Sequence, residues 1–125
     1  MARRDITGAV DFAHLEQYAA YDAALIEEVL ALFREQAGMW LKLMDPDAGG
    51  EGWRDGAHTL KGASLGVGAF QLAETCSEAE AATGTGYGER KVLFERVRTA
   101  LDAVLADIAA YSHEQMLKSL KTPRT

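Results

Sequence analysis

The stretch ERKVLFERVRTALDAVLADIAAYSHEQML, residues 89–117, decides the fold class. Phe94, Val97, Leu101, Val104, Ile108 and Tyr111 recur in it at alternating three- and four-residue spacing. That rhythm places one apolar seam along a long helix, the pattern of helices packed in a bundle. Upstream, DPDAGGEG (45–52) and TGTGYG (83–88) read as glycine-rich turns, and GVG (66–68) as a tighter break. The segments between them are helical in pattern. Asp11 is placed to cap a short first helix, FAHLEQYAA, and Asp22 to cap a second running to about Met44. In the second helix Leu25, Ile26, Val29, Leu30, Leu32, Phe33, Trp40, Leu41 and Leu43 form a wide apolar stripe, which implies more than one packing neighbour. A third helix is expected from near Glu51 to Leu65 or Val67. A fourth starts near Ala69, with Ala69, Leu72, Ala73, Cys76 and Ala79 or Glu80 on one side. No segment alternates with period two. The expectation is all-α: an up-down four-helix bundle over residues 11–118 with a short extra N-terminal helix. Residues 1–10 and 119–125 are expected to be flexible ends.

Composition narrows the function classes. The 125 residues carry a formal net charge of −6, which argues against a nucleic-acid partner, since such a surface needs a basic face. The single cysteine, Cys76, excludes an internal disulfide framework and makes a reducing cytoplasm the expected location. MARRDITGAV has no apolar run behind its arginines, so no secretion signal is read, and no stretch approaches a membrane span. Met1 and the polar tail suggest a complete protein.

The chemistry concentrates in the third helix. Trp53, Ala57, Leu60, Ser64 and Val67 fall on one arc that must face the core. His58 lies about 140° from the centre of that arc, towards solvent, with Arg54, Gly62 and Leu65 within about 40° of it and Lys61 about 60° away. An exposed histidine, an exposed leucine or a lone lysine has an ordinary solvated reading. Gly62 resists one, because a glycine in a helix interior costs roughly 0.5–1 kcal/mol against alanine. A bare backbone beside an exposed histidine fits a surface that another molecule approaches closely. Imidazole near neutral pH can act as a nucleophile towards phosphorus, and Lys61 one turn on can pair with the resulting phosphoryl group. Ser64 and Thr59 are not expected to take part, Ser64 instead bonding back to a carbonyl. No general base or metal ligand set is read nearby, so the partner is expected to bring the catalytic machinery.

AHTLKGASLGVGAFQLAETCSEAE (57–80) resembles the signature of histidine-containing phosphotransfer (HPt) domains, the relay modules of two-component phosphorelays. The matching residues are His58, Lys61, Gly62, Ala63, Ser64, Gly68, Ala69, Leu72, Cys76 and Glu80, with Phe33 and the glycine-rich loop before WRDGAHTLKG in keeping. The resemblance implies a phosphorelay intermediate that takes a phosphoryl group from a receiver-domain aspartate and passes it to another receiver. His58 is then the phosphoacceptor, through its outer ring nitrogen, Lys61 the phosphate-neutralising cation, and Gly62 the clearance for the receiver. It implies a phosphocarrier without autonomous kinase activity, with no cofactor or metal of its own and Mg²⁺ on the receiver. The partners implied are receiver domains and a sensor or hybrid histidine kinase, with no membrane and a monomeric state. The chain departs from the pattern at Gly66, where a bulky aliphatic is usual, and this is expected to shorten or loosen the end of the third helix.

Docking needs apolar area beside the histidine. Arg54, Leu65, Phe70 and Leu30 are the candidates; Phe33 and Phe70 have core packing as the favoured reading. His14 and His113 read as surface histidines, Cys76 as a small buried hydrophobe, Trp53 as an anchor for its loop, and Glu80 as a residue that caps or pairs within the bundle. Two other classes stay open: an adaptor that docks on a receiver or kinase without carrying phosphate, and an enzyme with a metal or cofactor in the bundle. The adaptor has no need of the His58, Lys61 and Gly62 set, and the enzyme lacks the inward Glu and Glu-x-x-His ligands such cores use.

Overall fold

The computed structural model describes residues 6–47, 50–82 and 86–121. Five helices follow in order: α1 (Phe12–Tyr18), α2 (Ala23–Leu43), α3 (Gly50–Val67), α4 (Phe70–Ala81) and α5 (Tyr87–Lys121), with no strand among the described residues. Helix α3 packs between α2 and α4, α4 packs on α5, and α5 closes the ring against α2. The short α1 lies against α2 and α3. This is the expected four-helix bundle with an extra N-terminal helix.

Local chemistry sets the helix ends. The Asp11 carboxylate accepts from the His14 amide at 3.1 Å and the Asp22 carboxylate from the Leu25 amide at 3.0 Å, each satisfying an amide that the first helical turn leaves free. Helix α1 ends on two residues in the left-handed region, Ala20 (φ 54°) and Tyr21 (φ 61°), closed by a 2.8 Å bond from the Tyr21 amide to the Glu16 carbonyl. Helix α3 stops at Gly68 (φ 87°), where an added Cβ would also lie 2.8 Å from the Asp11 carbonyl oxygen. Gly66 does not shorten α3, as the departure from the family pattern suggested. It sits inside the helix, in open space, and α3 runs on to Val67.

The core follows the apolar arcs. Ile26, Leu30, Phe33 and Ala37 of α2 meet Trp53, Ala57, Leu60 and Val67 of α3, Leu72, Cys76 and Ala79 of α4, and Val97, Leu101, Val104 and Ile108 of α5. The Trp53 indole donates to the Ala79 carbonyl at 2.7 Å, so the anchor also joins α3 to α4. Gly56 lets α2 and α3 meet: a Cβ there would be 2.7 Å from the Trp40 carbonyl oxygen and 2.9 Å from Met44 Cγ. Part of the α2 stripe stays outside, since Leu25, Leu32 and Leu43 are exposed. Helical turn counting puts these three together on one flank of the core arc.

Residues 6–10, part of the segment 1–10 expected to be a flexible lead, are tied to the bundle. Asp107, fully buried on α5, holds this segment: one carboxylate oxygen accepts from the Thr7 amide at 2.8 Å and the Thr7 hydroxyl at 3.0 Å, the other from the Gly8 and Val10 amides at 3.2 and 3.3 Å. Val10 is buried, and the Asp11 amide donates to the Gly68 carbonyl at 2.9 Å. The strap therefore ties α5 to the α3–α4 turn. Residues 1–5 lie outside the described residues. At the other end α5 continues past 118 to Lys121, and 122–125 lie outside them.

Candidate functional site

The α3 arc predicted to face the core does so: Trp53, Ala57, Leu60, Ser64 and Val67 are all buried. The Ser64 hydroxyl donates to the Leu60 carbonyl at 2.6 Å, which accounts for a polar group inside the bundle. On the opposite side His58 stands out, with 71 % of its side chain exposed.

The ring is nevertheless held. His58 Nδ1 lies 2.9 Å from Glu80 Oε2, and Lys61 Nζ lies 3.6 Å from Glu80 Oε1. Glu80, near the end of α4, thus joins the two α3 residues through one carboxylate. The hydrogen bond from His58 is the main reason that the Glu80 carboxyl sits below its ordinary range. Partial desolvation opposes this, while the charges of His58 and Lys61 reinforce it. A carboxylate only accepts, so Nδ1 carries the proton in this contact and Nε2 points away from Glu80. An imidazole of a kind that can act as a nucleophile, a carboxylate that orients it and a cation therefore share one solvent-facing site.

The sequence reading missed Glu80 as a partner of His58, although it allowed for pairing in the bundle. A signal was present: α3 and α4 form an antiparallel pair about the Gly68–Ala69 turn, and residues 58 and 80 stand about equally far from it in sequence.

Gly62 is exposed, and a Cβ built on it meets no heavy atom within 4 Å. Nothing inside this fold requires glycine there, in contrast to Gly56. The candidate docking residues divide. Arg54, Leu65 (47 % exposed) and Phe70 (43 %) lie at the surface, so Phe70 departs from its favoured core reading. Leu30 does not belong with them. It is 1 % exposed, on the inner arc of α2 with Ile26, Phe33 and Ala37. Phe33 is core as well. Cys76 is buried, and burial pushes its thiol up to about 12, as for an inert core sulfur. His14 is a surface residue, but its ring meets Phe70 edge-on at 5.1 Å and stacks over Tyr18 at 6.3 Å. Among the described residues no group of three or more His, Cys, Asp or Glu side chains could hold a metal ion, and no helix is long and apolar enough to cross a membrane.

Comparison with known proteins identifies the family. The Hpt domain family matches residues 24–111. The crystal structure of the histidine phosphotransferase ShpA from Caulobacter crescentus is similar, with 56 % sequence identity and a TM-score of 0.74, over 90 % of this chain and 99 % of that one. No curated protein matches the chain. A match over more than two thirds of the residues, with a relative of this identity, establishes that the chain belongs to the Hpt domain family.

Proposed function

We propose that this protein is a phosphorelay intermediate: His58 accepts a phosphoryl group from the aspartyl phosphate of one receiver domain and passes it to the aspartate of another. The observation that carries the reading is the 2.9 Å contact between His58 Nδ1 and Glu80 on an otherwise open ring. The Nε2 lone pair attacks phosphorus, an N–P bond forms, and the P–O bond to the receiver breaks with its electron pair leaving on the aspartate carboxylate. The ring keeps its Nδ1 proton and gains positive charge, which Glu80 faces directly. No proton has to move, so the reverse step onto a second receiver runs through the same geometry. Lys61, tied only loosely to Glu80 at 3.6 Å, turns its ammonium to the phosphoryl oxygens as a point charge.

In this reading the chain is a carrier, the receivers bring Mg²⁺ and their own acidic residues, and a sensor or hybrid kinase begins the relay. Arg54, Leu65 and Phe70 frame the receiver, and the open space over Gly62 lets it approach. An adaptor that carries no phosphate gains nothing from a histidine oriented in this way. The test is incubation with a phosphorylated receiver. Wild type is expected to take up acid-labile, base-stable phosphate and His58→Gln none. Equal labelling of the variant, or no labelling by any receiver of the same genome, overturns the proposal.

A further inference from the structure

We infer that an outer seam of α2 pairs antiparallel with the same seam of a second copy, and that this dimer and a receiver compete for the approach to His58. The competition rests on the reading of His58 as phosphoacceptor; the pairing does not. The apolar stripe of α2 is wide enough for more than one neighbour, and the bundle uses only part of it. Ile26, Leu30, Phe33, Ala37 and Met44 are buried. One residue back, about 100° round the helix, run Leu25, Val29, Leu32, Gln36, Met39 and Leu43, at spacings of four, three, four, three and four. Leu25, Leu32, Met39 and Leu43 are 44–56 % exposed, and Val29 and Gln36 are half-buried. That rhythm, kept for about 27 Å, is the seam of a two-helix coiled coil.

Shape and charge make a second copy the occupant. Such a seam takes a helix of the same rhythm and length, and α2 is itself that helix. In the antiparallel register Leu25 meets Leu43 of the second copy, Val29 meets its Met39 and Leu32 its Gln36. Glu28, Glu35 and Lys42 stand just outside the seam. The same register sets Glu28 of each copy beside Lys42 of the other, two attractive pairs that a parallel pairing does not make. Glu35 meets its own counterpart near the two-fold axis and opposes association. A strip about 27 Å long and about 15–20 Å wide covers roughly 400–550 Å² on each copy, less than a standard interface takes. The dimer is therefore weak and reversible, as competition requires.

The seam borders the site. Leu43 stands against α3, since a Cβ on Gly56 would lie 3.0 Å from the Leu43 Cβ. Helix α5 meets the other flank of α2, where the Ser112 hydroxyl donates to Glu27 at 3.3 Å. Going round α3 from His58 towards Gly56, turn counting passes Gly62 after about 40° and Gly66 after about 80°. Counting back along α2 as α3 runs forward puts Gly62 level with about Gln36, at the middle of the seam. Both glycines border open space. A second copy's helix laid on the seam fills the space over them that the receiver needs.

The test is sedimentation velocity of the full chain across concentrations, expected to show a reversible dimer with a dissociation constant on the order of 10–100 μM. Glu28→Lys and Lys42→Glu are each expected to weaken it about threefold to tenfold, and the double swap to restore it. Absence of a dimer at about 1 mM, or a double swap no tighter than the single changes, overturns the inference. At a total concentration ten times the dissociation constant, about a fifth of the chains are monomeric. The second-order rate constant for transfer from a phosphorylated receiver is then expected to fall about fivefold from its dilute value. Labelling by phosphoramidate, a small donor that needs no docking, is expected to stay unchanged. A constant receiver rate, or an equal fall with phosphoramidate, overturns the competition. Failure of the chain to label with either donor refutes the phosphoacceptor reading and the competition with it, while the dimer stands or falls on the charge swap.

Discussion

Replacing Glu80 by alanine probes the device that distinguishes His58 from an ordinary surface histidine. The carboxylate accepts from Nδ1 at 2.9 Å, and in the proposed reaction it faces the positive charge that the ring gains. Hydrogen bonds to charged groups contribute about 1.5–3 kcal/mol when well shielded. Here His58 is largely exposed and Glu80 partly so, and solvent screening reduces the value to about 1–2 kcal/mol. By transition-state arithmetic that is a loss of roughly 5- to 30-fold in the rate of transfer. The assay is single-turnover transfer from a phosphorylated receiver at saturating concentration, paired with ¹⁵N spectra that report which ring nitrogen carries the proton. Glu80→Gln keeps an acceptor but removes the charge, and its rate should fall between the two. The contact also has a pH signature. Because the Glu80 carboxyl is depressed in the fold, its contribution to stability is complete above the ordinary carboxyl value and disappears as pH falls through the lowered one. His58→Ala should return the Glu80 titration towards the ordinary range. Wild-type transfer by Glu80→Ala, together with an unchanged proton distribution on the ring, would refute the assignment.

Gly62→Ala should stabilise the fold by about 0.5–1 kcal/mol in urea melts, since a Cβ there meets nothing, whereas Gly62→Trp should fold but lose receiver transfer while retaining phosphoramidate labelling. Gly56→Ala should destabilise by about 1–3 kcal/mol in the same melts, because α2 backbone fills the space. Asp107→Ala leaves the Thr7, Gly8 and Val10 amides without their acceptor and should lower stability by about 2–5 kcal/mol, with faster hydrogen exchange at those amides. Cys76 should resist alkylation at pH 8 in the native protein and react fully in urea; rapid native-state labelling would contradict its burial.

Much of the fold was legible because helix periodicity reports which side of each helix meets the core. The α3 arc from Trp53 to Val67 and the α5 seam from Val97 to Tyr111 could be read directly, and with the α3 arc the outward direction of His58. Periodicity failed where an apolar stripe was wider than the buried arc. In α2 it could not separate Leu30, which is inside, from Leu25 and Leu32, which are outside, because the margin depends on where α3 and α5 press. Long-range polar contacts were hidden for a different reason. Asp107 binds a segment about a hundred residues away, and its only local trace is an acid on the edge of the α5 seam. Glu80 was named among the residues shared with the family, yet its contact with His58 depends on the register of α3 against α4, which the Gly68–Ala69 turn sets.

The most direct test of the central claim is the position of the phosphoryl group. Protein phosphorylated by a receiver and examined by ³¹P–¹⁵N NMR should carry it on Nε2 of His58, with Nδ1 still protonated towards Glu80. Phosphate on Nδ1, or on any other residue, would contradict the account.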